Sequence, residues 1–320
     1  MPDPRPPHQE TKASPGPAGG AFPPRAPGAD PAPATVPSPD PRHRERRHTA
    51  PSRAGRNLPA AVGVAVVLIG TLLVGLFVQP LVLALFAGTA AGIGVWEVGR
   101  SLRYRGIVIP RVPAVTAGVL MPVAAFAGGG EALMMAVIVG LTLVIVWRAL
   151  GGRDGMILSI MGSVFALVWV GFLLSIALLL YHTEAGPLKV LTVILLAVGS
   201  DTCGYAVGVV WGRHPMAPRI SPQKSWEGFA GSLGGSVLIG VLCAVLLLDH
   251  AWWEGAVLAA VLVLAATLGD FSESMVKREL GIKDMGTLLP GHGGVMDRID
   301  SILFAVPAGY LLFELFAASA

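Results

Sequence analysis

One long apolar stretch with a carboxylate inside it decides the fold class. Residues 188–212 read LKVLTVILLAVGSDTCGYAVGVVWG, and Lys189 and Asp201 are the charged side chains in this stretch. A helix of this length crosses a bilayer, because a span needs about 20 predominantly apolar residues. An acidic side chain inside a span is costly and is typical of a functional site. The stretch therefore predicts a membrane-spanning helix that carries part of a polar site.

The residues after Asp201 predict where its side chain points. Gly204, Gly208 and Gly212 follow at offsets that place all four residues on one face of a helix. Because a ridge of small residues lets another helix approach closely, we expect Asp201 to face the bundle rather than lipid. There it is either part of a functional site or a structural hydrogen-bonding group.

The whole chain has the composition of a membrane protein. Of its 320 residues 53% are hydrophobic and 13% are charged, whereas soluble domains carry about 25% charged residues. Residues 1–56 contain 15 of the 26 prolines and 9 of the 23 Lys and Arg. The formal net charge of +3 therefore comes from this leader, and we expect no nucleic-acid partner.

Nine apolar segments of spanning length follow the leader. They are residues 58–78, 81–99, 112–127, 132–150, 156–180, 188–212, 227–248, 251–271 and 300–317. If the N-terminus is cytoplasmic, 13 of the 14 Lys and Arg after residue 56 lie on the cytoplasmic side, as the positive-inside rule requires. The sequence thus predicts an all-α polytopic integral membrane protein with about nine transmembrane helices. Its N-terminus is predicted to be cytoplasmic and its C-terminus extracytoplasmic.

The chain is predicted to consist of a disordered leader followed by a transmembrane domain. Residues 1–56 form a disordered Pro/Ala/Arg-rich cytoplasmic tail, because proline-rich segments with few aromatic residues cannot bury a core. The basic run at residues 42–48 is a topology signal, a contact for anionic lipid or a solvated tail. Residues 57–320 form the transmembrane domain, and the polar residues expected to carry its chemistry lie in about 188–305.

The eighth predicted span ends in a polar helix face. Asp270, Glu273, Ser274 and Lys277 stand at i, i+3, i+4 and i+7, so they form one continuous face. Two acids and a base at a helix end indicate either a binding site or a set of salt bridges at the membrane surface.

A glycine-rich segment with charged residues follows that face. Residues 283–286 read KDMG, residues 289–294 read LPGHGG and residues 297–300 read DRID. Backbone N–H groups of the glycines can cradle phosphate oxygens, with Lys283 and Arg298 as cationic partners. Asp297 and Asp300 offer the oxygen ligands that suit Mg²⁺. His292 is a general acid, a metal ligand, a phosphate hydrogen-bond partner or a structural residue of the loop.

The second long loop precedes the seventh span and reads RISPQKSWEG at residues 219–228. Ser225 is predicted to cap this span, and the capped helix N-terminus would then be a natural anion site. The alternative is a simple interfacial turn with Trp226 as its anchor. Acids, bases and glycines gathered on one membrane face together indicate chemistry on nucleotide phosphates.

The stretch from Ser274 to Asp300, SMVKR-x4-KDMG-x2-LPGHGGVMDRID, resembles the signature of the phosphatidate cytidylyltransferases, or CDP-diacylglycerol synthases. Residues 200–202 and 217–228 also resemble that family, so the likeness covers about the C-terminal third. Cys203-Gly204 stands where the family has Gly-Ala, and Ser225 where it has Thr. The resemblance implies that CTP and phosphatidate give CDP-diacylglycerol and pyrophosphate for phospholipid biosynthesis. It also implies Mg²⁺, a monovalent cation such as K⁺ beside it, and the bacterial plasma membrane as the location.

The resemblance, together with the residue chemistry, assigns roles to particular positions. The predicted catalytic residues are Asp270, Asp297, Lys277, Lys283, Asp284, His292 and Arg298. The predicted substrate-binding residues are Arg219, Ser221, Lys224, Ser225, Glu227, Arg278, Gly293 and Gly294. The predicted metal ligands are Asp201, Asp270, Glu273, Asp297 and Asp300. A homodimer is expected from the resemblance and from the glycine-rich helix faces.

Two other functions compete with this interpretation. A CTP-dependent polyprenol or phytol kinase also combines lipid, nucleotide and membrane, but it releases CDP instead of pyrophosphate. A secondary transporter would use intramembrane acids as ion sites, near the midplane and within repeated halves. The unbroken signature favours the cytidylyltransferase over the kinase. The absence of a repeat and the gathering of polar groups at one face argue against the transporter.

Overall fold

A computed structural model describes residues 58–152, 154–288 and 293–319. The predicted tail at residues 1–56 and His292 lie outside the described residues. Nine α-helices are described: α1 Leu58–Phe77, α2 Pro80–Leu102, α3 Arg111–Leu150, α4 Met156–Ala166, α5 Leu173–Tyr181, α6 Gly186–Trp211, α7 Trp226–Leu247, α8 Trp252–Leu280 and α9 Met296–Ser319. A 3₁₀ turn, Arg103–Arg105, follows α2, and a π-helical segment, Leu167–Phe172, joins α4 to α5.

The helices have the length and composition of membrane spans. Among the described residues, seven continuous helical segments are long and apolar enough to cross a bilayer, with α4 and α5 counted as one segment. The apolar helix α1 precedes them. This finding confirms the predicted class of a helical membrane protein.

Helix α3 is broken in the middle, where the sequence analysis separates two predicted spans. It is 40 residues long, or about 60 Å at the usual helical rise, which is twice the hydrocarbon thickness of a bilayer. Gly128 and Gly129 have non-helical backbone angles, and Gly129 has a φ of 64°. That left-handed conformation is one that glycine adopts without a steric penalty. The break divides α3 close to the predicted boundary between residues 112–127 and 132–150.

A short β-hairpin between α6 and α7 departs from the all-α prediction. Strands β1, Pro215–Ala217, and β2, Ser221–Ser225, pair antiparallel. Prolines 215, 218 and 222 prevent this segment from continuing either helix, because proline lacks the N–H that a helix interior requires. The Trp226 N–H donates to the His214 carbonyl at 2.9 Å and closes the base of the hairpin.

The helices of the C-terminal half form a continuous packed layer beside the hairpin. Helix α7 packs between α6 and α8, and α9 packs against α8, α6 and α5. Buried leucines from four of these helices share one core, among them Leu178, Leu196, Leu258, Leu262 and Leu303. This packing fixes the relative positions of the polar residues near one end of α6, α8 and α9.

Candidate active site

A cavity of about 660 Å³ opens between α6, α7, the β-hairpin and the end of α8. Two acidic residues, Asp201 and Asp270, line it, together with Lys224 and the hydroxyl-bearing residues Ser221 and Ser225. Apolar side chains such as Phe229 complete the wall. The cavity therefore brings together groups from both predicted site regions, the end of the eighth span and the loop before the seventh.

Asp270 and Lys224 form an ion pair across the cavity. The Lys224 Nζ donates to Asp270 Oδ2, and the same ammonium group lies 5.0 Å from the centroid of the Phe271 ring. The side chains of Lys224 and Asp270 are 31% and 16% exposed, so both remain accessible from the cavity. Because Lys224 is on the hairpin and Asp270 is on α8, the pair ties a short surface element to the bundle.

Asp201 is an exposed residue that lines the cavity and points toward α9, the inward direction predicted from its glycine ridge. Its Oδ2 accepts a hydrogen bond from Ser301 Oγ of α9 at 3.3 Å, and its carboxylate interacts with Asp270 and Lys224. A Cβ atom at Gly204 would lie 2.3 Å from Ser232 Oγ of α7. The small-residue ridge thus allows α6 and α7 to approach closely beside the carboxylate.

A second group of charged residues lies beside the cavity and is called the carboxylate clamp here: Glu273, Lys277 and Asp297. The Lys277 Nζ donates to Glu273 Oε2 at 2.6 Å and to Asp297 Oδ1 at 3.1 Å. The side chains of Glu273 and Asp297 are 2% and 9% exposed. Lys277 therefore joins the end of α8 to the start of α9, and the predicted polar face of the eighth span is salt-bridged.

Asp297 also organises the described parts of the signature loop between α8 and α9, defined here as residues 281–288 and 293–295. The Met285 N–H lies 3.2 Å from both of its carboxylate oxygens, and the Gly294 N–H donates to Oδ2 at 2.9 Å. The amide of Gly294, expected to cradle phosphate, thus donates to Asp297 in this structure. Its role toward phosphate remains a prediction, as does that of Asp297 toward a metal.

Asp300 connects the cavity to the clamp. Its carboxylate interacts electrostatically with those of Asp270 and Glu273, and its Oδ1 accepts the Ser301 N–H at 2.9 Å. A Cβ atom at Gly269 would lie 2.4 Å from the Asp300 carbonyl oxygen. The close contact of α8 and α9 at this glycine brings the acids of the two helices side by side.

Several other predicted site residues have structural contacts around the hairpin. Ser225 caps α7 as predicted, since its Oγ accepts the Gly228 N–H at 3.1 Å. Glu227 accepts N–H groups of Arg213 and His214 at 3.1 and 3.2 Å. Arg278 donates to the Ile220 carbonyl at 3.2 Å and anchors the hairpin turn. The remaining cationic and loop positions are exposed: Arg219, Lys283, Asp284 and Arg298.

The described residues do not contain a group of three or more His, Cys, Asp or Glu side chains arranged as a ready metal site. The acids that face the cavity are instead the pair Asp201 and Asp270. Such a pair fits a metal ion that takes its other ligands from water and substrate phosphates, which is the usual arrangement for Mg²⁺.

Comparison with known proteins identifies the family. The model of the cytidylyltransferase family matches residues 59–316. This chain belongs to that family. A phosphatidate cytidylyltransferase of Mycobacterium leprae (strain TN) is 39% identical over 279 residues, which cover 82% of this chain and 89% of the relative. A phosphatidate cytidylyltransferase of Mycobacterium tuberculosis (strain ATCC 25618 / H37Rv) is 41% identical over 281 residues, 83% of this chain and 85% of the relative.

A further phosphatidate cytidylyltransferase is similar in sequence to a shorter region of this chain. The phosphatidate cytidylyltransferase of Brucella suis biovar 1 (strain 1330) is 38% identical over 152 residues, which cover 47% of this chain and 56% of the relative. The match of the family model across nearly the whole described chain confirms the predicted resemblance. It also extends the likeness to the early helices, for which the sequence offers hydrophobicity alone.

One buried acid in the early helices of this cytidylyltransferase was missed by the sequence analysis. Glu97 of α2 is 0% exposed, and its Oε2 accepts the Met296 N–H at 2.8 Å. The rule that selects Asp201, a carboxylate inside an apolar span, applies equally to Glu97. Glu97 lies near the end of the predicted span 81–99, three residues before Arg100.

Proposed function

We propose that this protein transfers the cytidylyl group of CTP to phosphatidate, giving CDP-diacylglycerol and pyrophosphate. The observation that carries the proposal is the cavity in which Asp201, Asp270 and Lys224 meet beside the family signature. Two charged substrates have to be brought together there, so the site needs cationic groups and metal-binding acids more than it needs a strong base. Such transfers depend mainly on positioning and electrostatic stabilisation.

The proposed reaction forms one P–O bond and breaks another. A phosphate oxygen of phosphatidate, already anionic near neutral pH, attacks the α-phosphorus of CTP. The bond from that phosphorus to the oxygen bridging the β-phosphate breaks, and pyrophosphate leaves with the bonding electrons. Lys224 stabilises phosphate charge within the cavity, and the capped N-terminus of α7 offers further N–H groups to an anion.

We propose Asp201 and Asp270 as the residues that hold Mg²⁺, with Asp300 in support beside Asp270. When bound, the ion would neutralise the triphosphate and stabilise departing pyrophosphate. A monovalent cation such as K⁺ is proposed beside it. Because Lys224 contacts Asp270, its ammonium group and the metal would compete for that carboxylate. Lys224 is then expected to move toward substrate phosphate when the metal binds.

The proposed membrane arrangement has nine spans, with the N-terminus in the cytoplasm and the C-terminus outside. The break in α3 at Gly128 and Gly129 supports counting that helix as two spans. The hairpin and the signature loop would then face the cytoplasm, where CTP is available, while the acyl chains of phosphatidate stay in the bilayer. A reporter fused after Ala320 is expected to behave as extracytoplasmic, and a cytoplasmic signal there would overturn the count.

We further propose that residues 57–320 form the transmembrane catalytic domain, with catalysis assigned to about 188–305. Residues 1–56 are proposed as a cytoplasmic tail without a catalytic role. The protein is proposed to lie in the bacterial plasma membrane and to form a homodimer. The family likeness supports the dimer, whereas the small residues Gly204 and Gly208 pack within one chain against α7.

Isotope position distinguishes the proposed reaction from that of a lipid kinase. With CTP labelled at the α-phosphate and phosphatidate in detergent micelles, a cytidylyltransferase moves the label into lipid and releases unlabelled pyrophosphate. With label at the γ-phosphate, it leaves the lipid unlabelled. Transfer of the γ-label to lipid, with release of CDP, would overturn the proposal. The Asp270→Asn protein serves as the matched negative control in both arms.

A further inference from the structure

Glu97 lies at the contact between the early helices and the signature loop. Its carboxylate is fully buried, and its Oε2 accepts the backbone N–H of Met296, the residue before Asp297. Within the described residues, its Oε1 has no hydrogen-bond partner. Burying a carboxylate is costly unless it is hydrogen-bonded, and here the Met296 N–H supplies the hydrogen bond.

Two glycines of the signature loop enclose this carboxylate. A Cβ atom at Gly286 would lie 2.0 Å from Glu97 Oε1, and one at Gly294 would lie 2.7 Å from Oε2. Either side chain would displace the carboxylate, so both positions need glycine while Glu97 stays in place. The first and last parts of the loop are therefore in contact with the same side chain of α2.

A second residue of α2 holds the same part of the loop. Ser101, one helical turn after Glu97, is 1% exposed, and its Oγ donates to the Met285 carbonyl at 3.2 Å. The N–H group of Met285 lies 3.2 Å from both oxygens of Asp297, and the N–H of Gly294 donates to it at 2.9 Å. The backbone donors that orient Asp297 are thus themselves held by α2.

We propose that Glu97 is a positioning residue: it fixes both ends of the signature loop and through them orients Asp297 for the transfer reaction. The inference rests on the proposed function, because it assigns Glu97 to that same site. Glu97 does not line the cavity, so it acts through the loop rather than on substrate. This gives the early helices a direct part in the activity of a site whose cavity is built by the later ones.

The test combines turnover with proteolysis of the loop. In Glu97→Ala, we expect kcat to fall about 100-fold, because small displacements of a site are costly, while the KM for CTP changes little. Trypsin cleavage after the exposed Lys283 should become about tenfold faster in detergent, because the loop opens more readily. Glu97→Gln keeps an oxygen for the Met296 N–H, and it should restore slow cleavage and most of the turnover. Gly286→Ala should reproduce the Glu97→Ala result from the loop side.

Leu178→Ala is the matched control for lost stability. Leu178 is 0% exposed in the last turn of α5, so its truncation leaves a cavity in the core without touching the loop. We expect wild-type cleavage at Lys283 in this variant. The proposal is overturned if Glu97→Ala also shows wild-type cleavage and loses no more kcat than Leu178→Ala. A further outcome is that the wild-type protein fails to transfer cytidylyl groups while Glu97→Ala still speeds trypsin cleavage at Lys283. That result would reject the proposed reaction and support the anchoring of the loop by Glu97.

Discussion

Asp270 in the cavity and Asp297 in the carboxylate clamp differ in what neutralises their charge. Asp270 is paired with Lys224, a long side chain carried by a two-stranded hairpin. Asp297 is held by Lys277 and by backbone N–H groups of Met285 and Gly294. A lysine side chain can move away when a ligand arrives, whereas backbone donors in a packed loop cannot move without rearranging it. From this difference we expect Asp270 to bind ligands once Lys224 moves away, and Asp297 to shape the site around it.

The largest effect is expected from Asp270→Asn, which keeps the size of the side chain and removes its charge. If Asp270 holds the metal ion against CTP, turnover should fall roughly 100-fold or more, while thermal stability stays near that of the wild type. Pyrophosphate release in micelles and a thermal melt measure the two quantities. The control is Asp249→Asn, the same change in the loop after α7, at the end of that helix away from the cavity. It should leave turnover and thermal stability unchanged. High turnover in Asp270→Asn would remove this residue from the site.

Asp297→Asn is expected to lower activity and stability together. It removes the charge that Lys277 and two backbone N–H groups contact, and each charged hydrogen bond contributes about 1.5–3 kcal/mol. Most turnover should therefore be lost, and the melting temperature should fall by several degrees. The same melts and assays apply. If the Asp297→Asn protein is as stable as the Asp270→Asn protein, Asp297 does not differ from Asp270 in holding the structure together, and the comparison made above is wrong.

Lys224→Ala removes the cationic partner of Asp270 in the cavity and should have an intermediate effect. The loss of a charged hydrogen bond to phosphate, about 1.5–3 kcal/mol, corresponds to a decrease of roughly 10- to 150-fold in kcat/KM for CTP. Gln223→Ala, a neighbouring uncharged change in the same strand, is the control and should have a small effect. If both variants behave alike, the hairpin matters for its shape and not for the charge of Lys224.

Glu279→Gln is expected to have the smallest effect. Glu279 pairs with Arg105 at 3.1 Å, but the two side chains are 78% and 54% exposed. Exposed ion pairs contribute at most about 1 kcal/mol, so turnover should stay within about twofold of the wild type. If Glu279→Gln loses activity while Asp270→Asn stays active, the functional acids lie on a different face of α8 from the one that carries Asp270.

Helices and local caps follow from the sequence because they depend on neighbouring residues. The apolar helices rest on long apolar stretches, and the Ser225 cap and the orientation of Asp201 rest on spacings of three or four residues. The structure agrees with these features. The predicted boundary between residues 112–127 and 132–150 falls where the backbone of α3 breaks, at Gly128 and Gly129. The hairpin was missed, since strands this short and rich in proline show no alternating pattern.

The partners of the acidic residues could not be predicted, because they are distant in the chain. Glu97 reaches Met296 across 199 residues, and Asp201 reaches Ser301 across 100. A signature in the sequence shows which residues are present but not which of their polar atoms are already satisfied. The division of the acids into a cavity pair and a clamp depends on those long-range contacts, and it became visible from the three-dimensional arrangement.

The most direct test of the cavity as the nucleotide site is equilibrium binding of radiolabelled CTP at a series of Mg²⁺ concentrations, with the purified protein in detergent. The wild type and Glu279→Gln should bind CTP in a Mg²⁺-dependent way with equal affinity. In the double variant Asp201→Asn, Asp270→Asn, the affinity should fall at least about tenfold and its dependence on Mg²⁺ should disappear. Unchanged, Mg²⁺-dependent binding of CTP by the double variant would contradict the account.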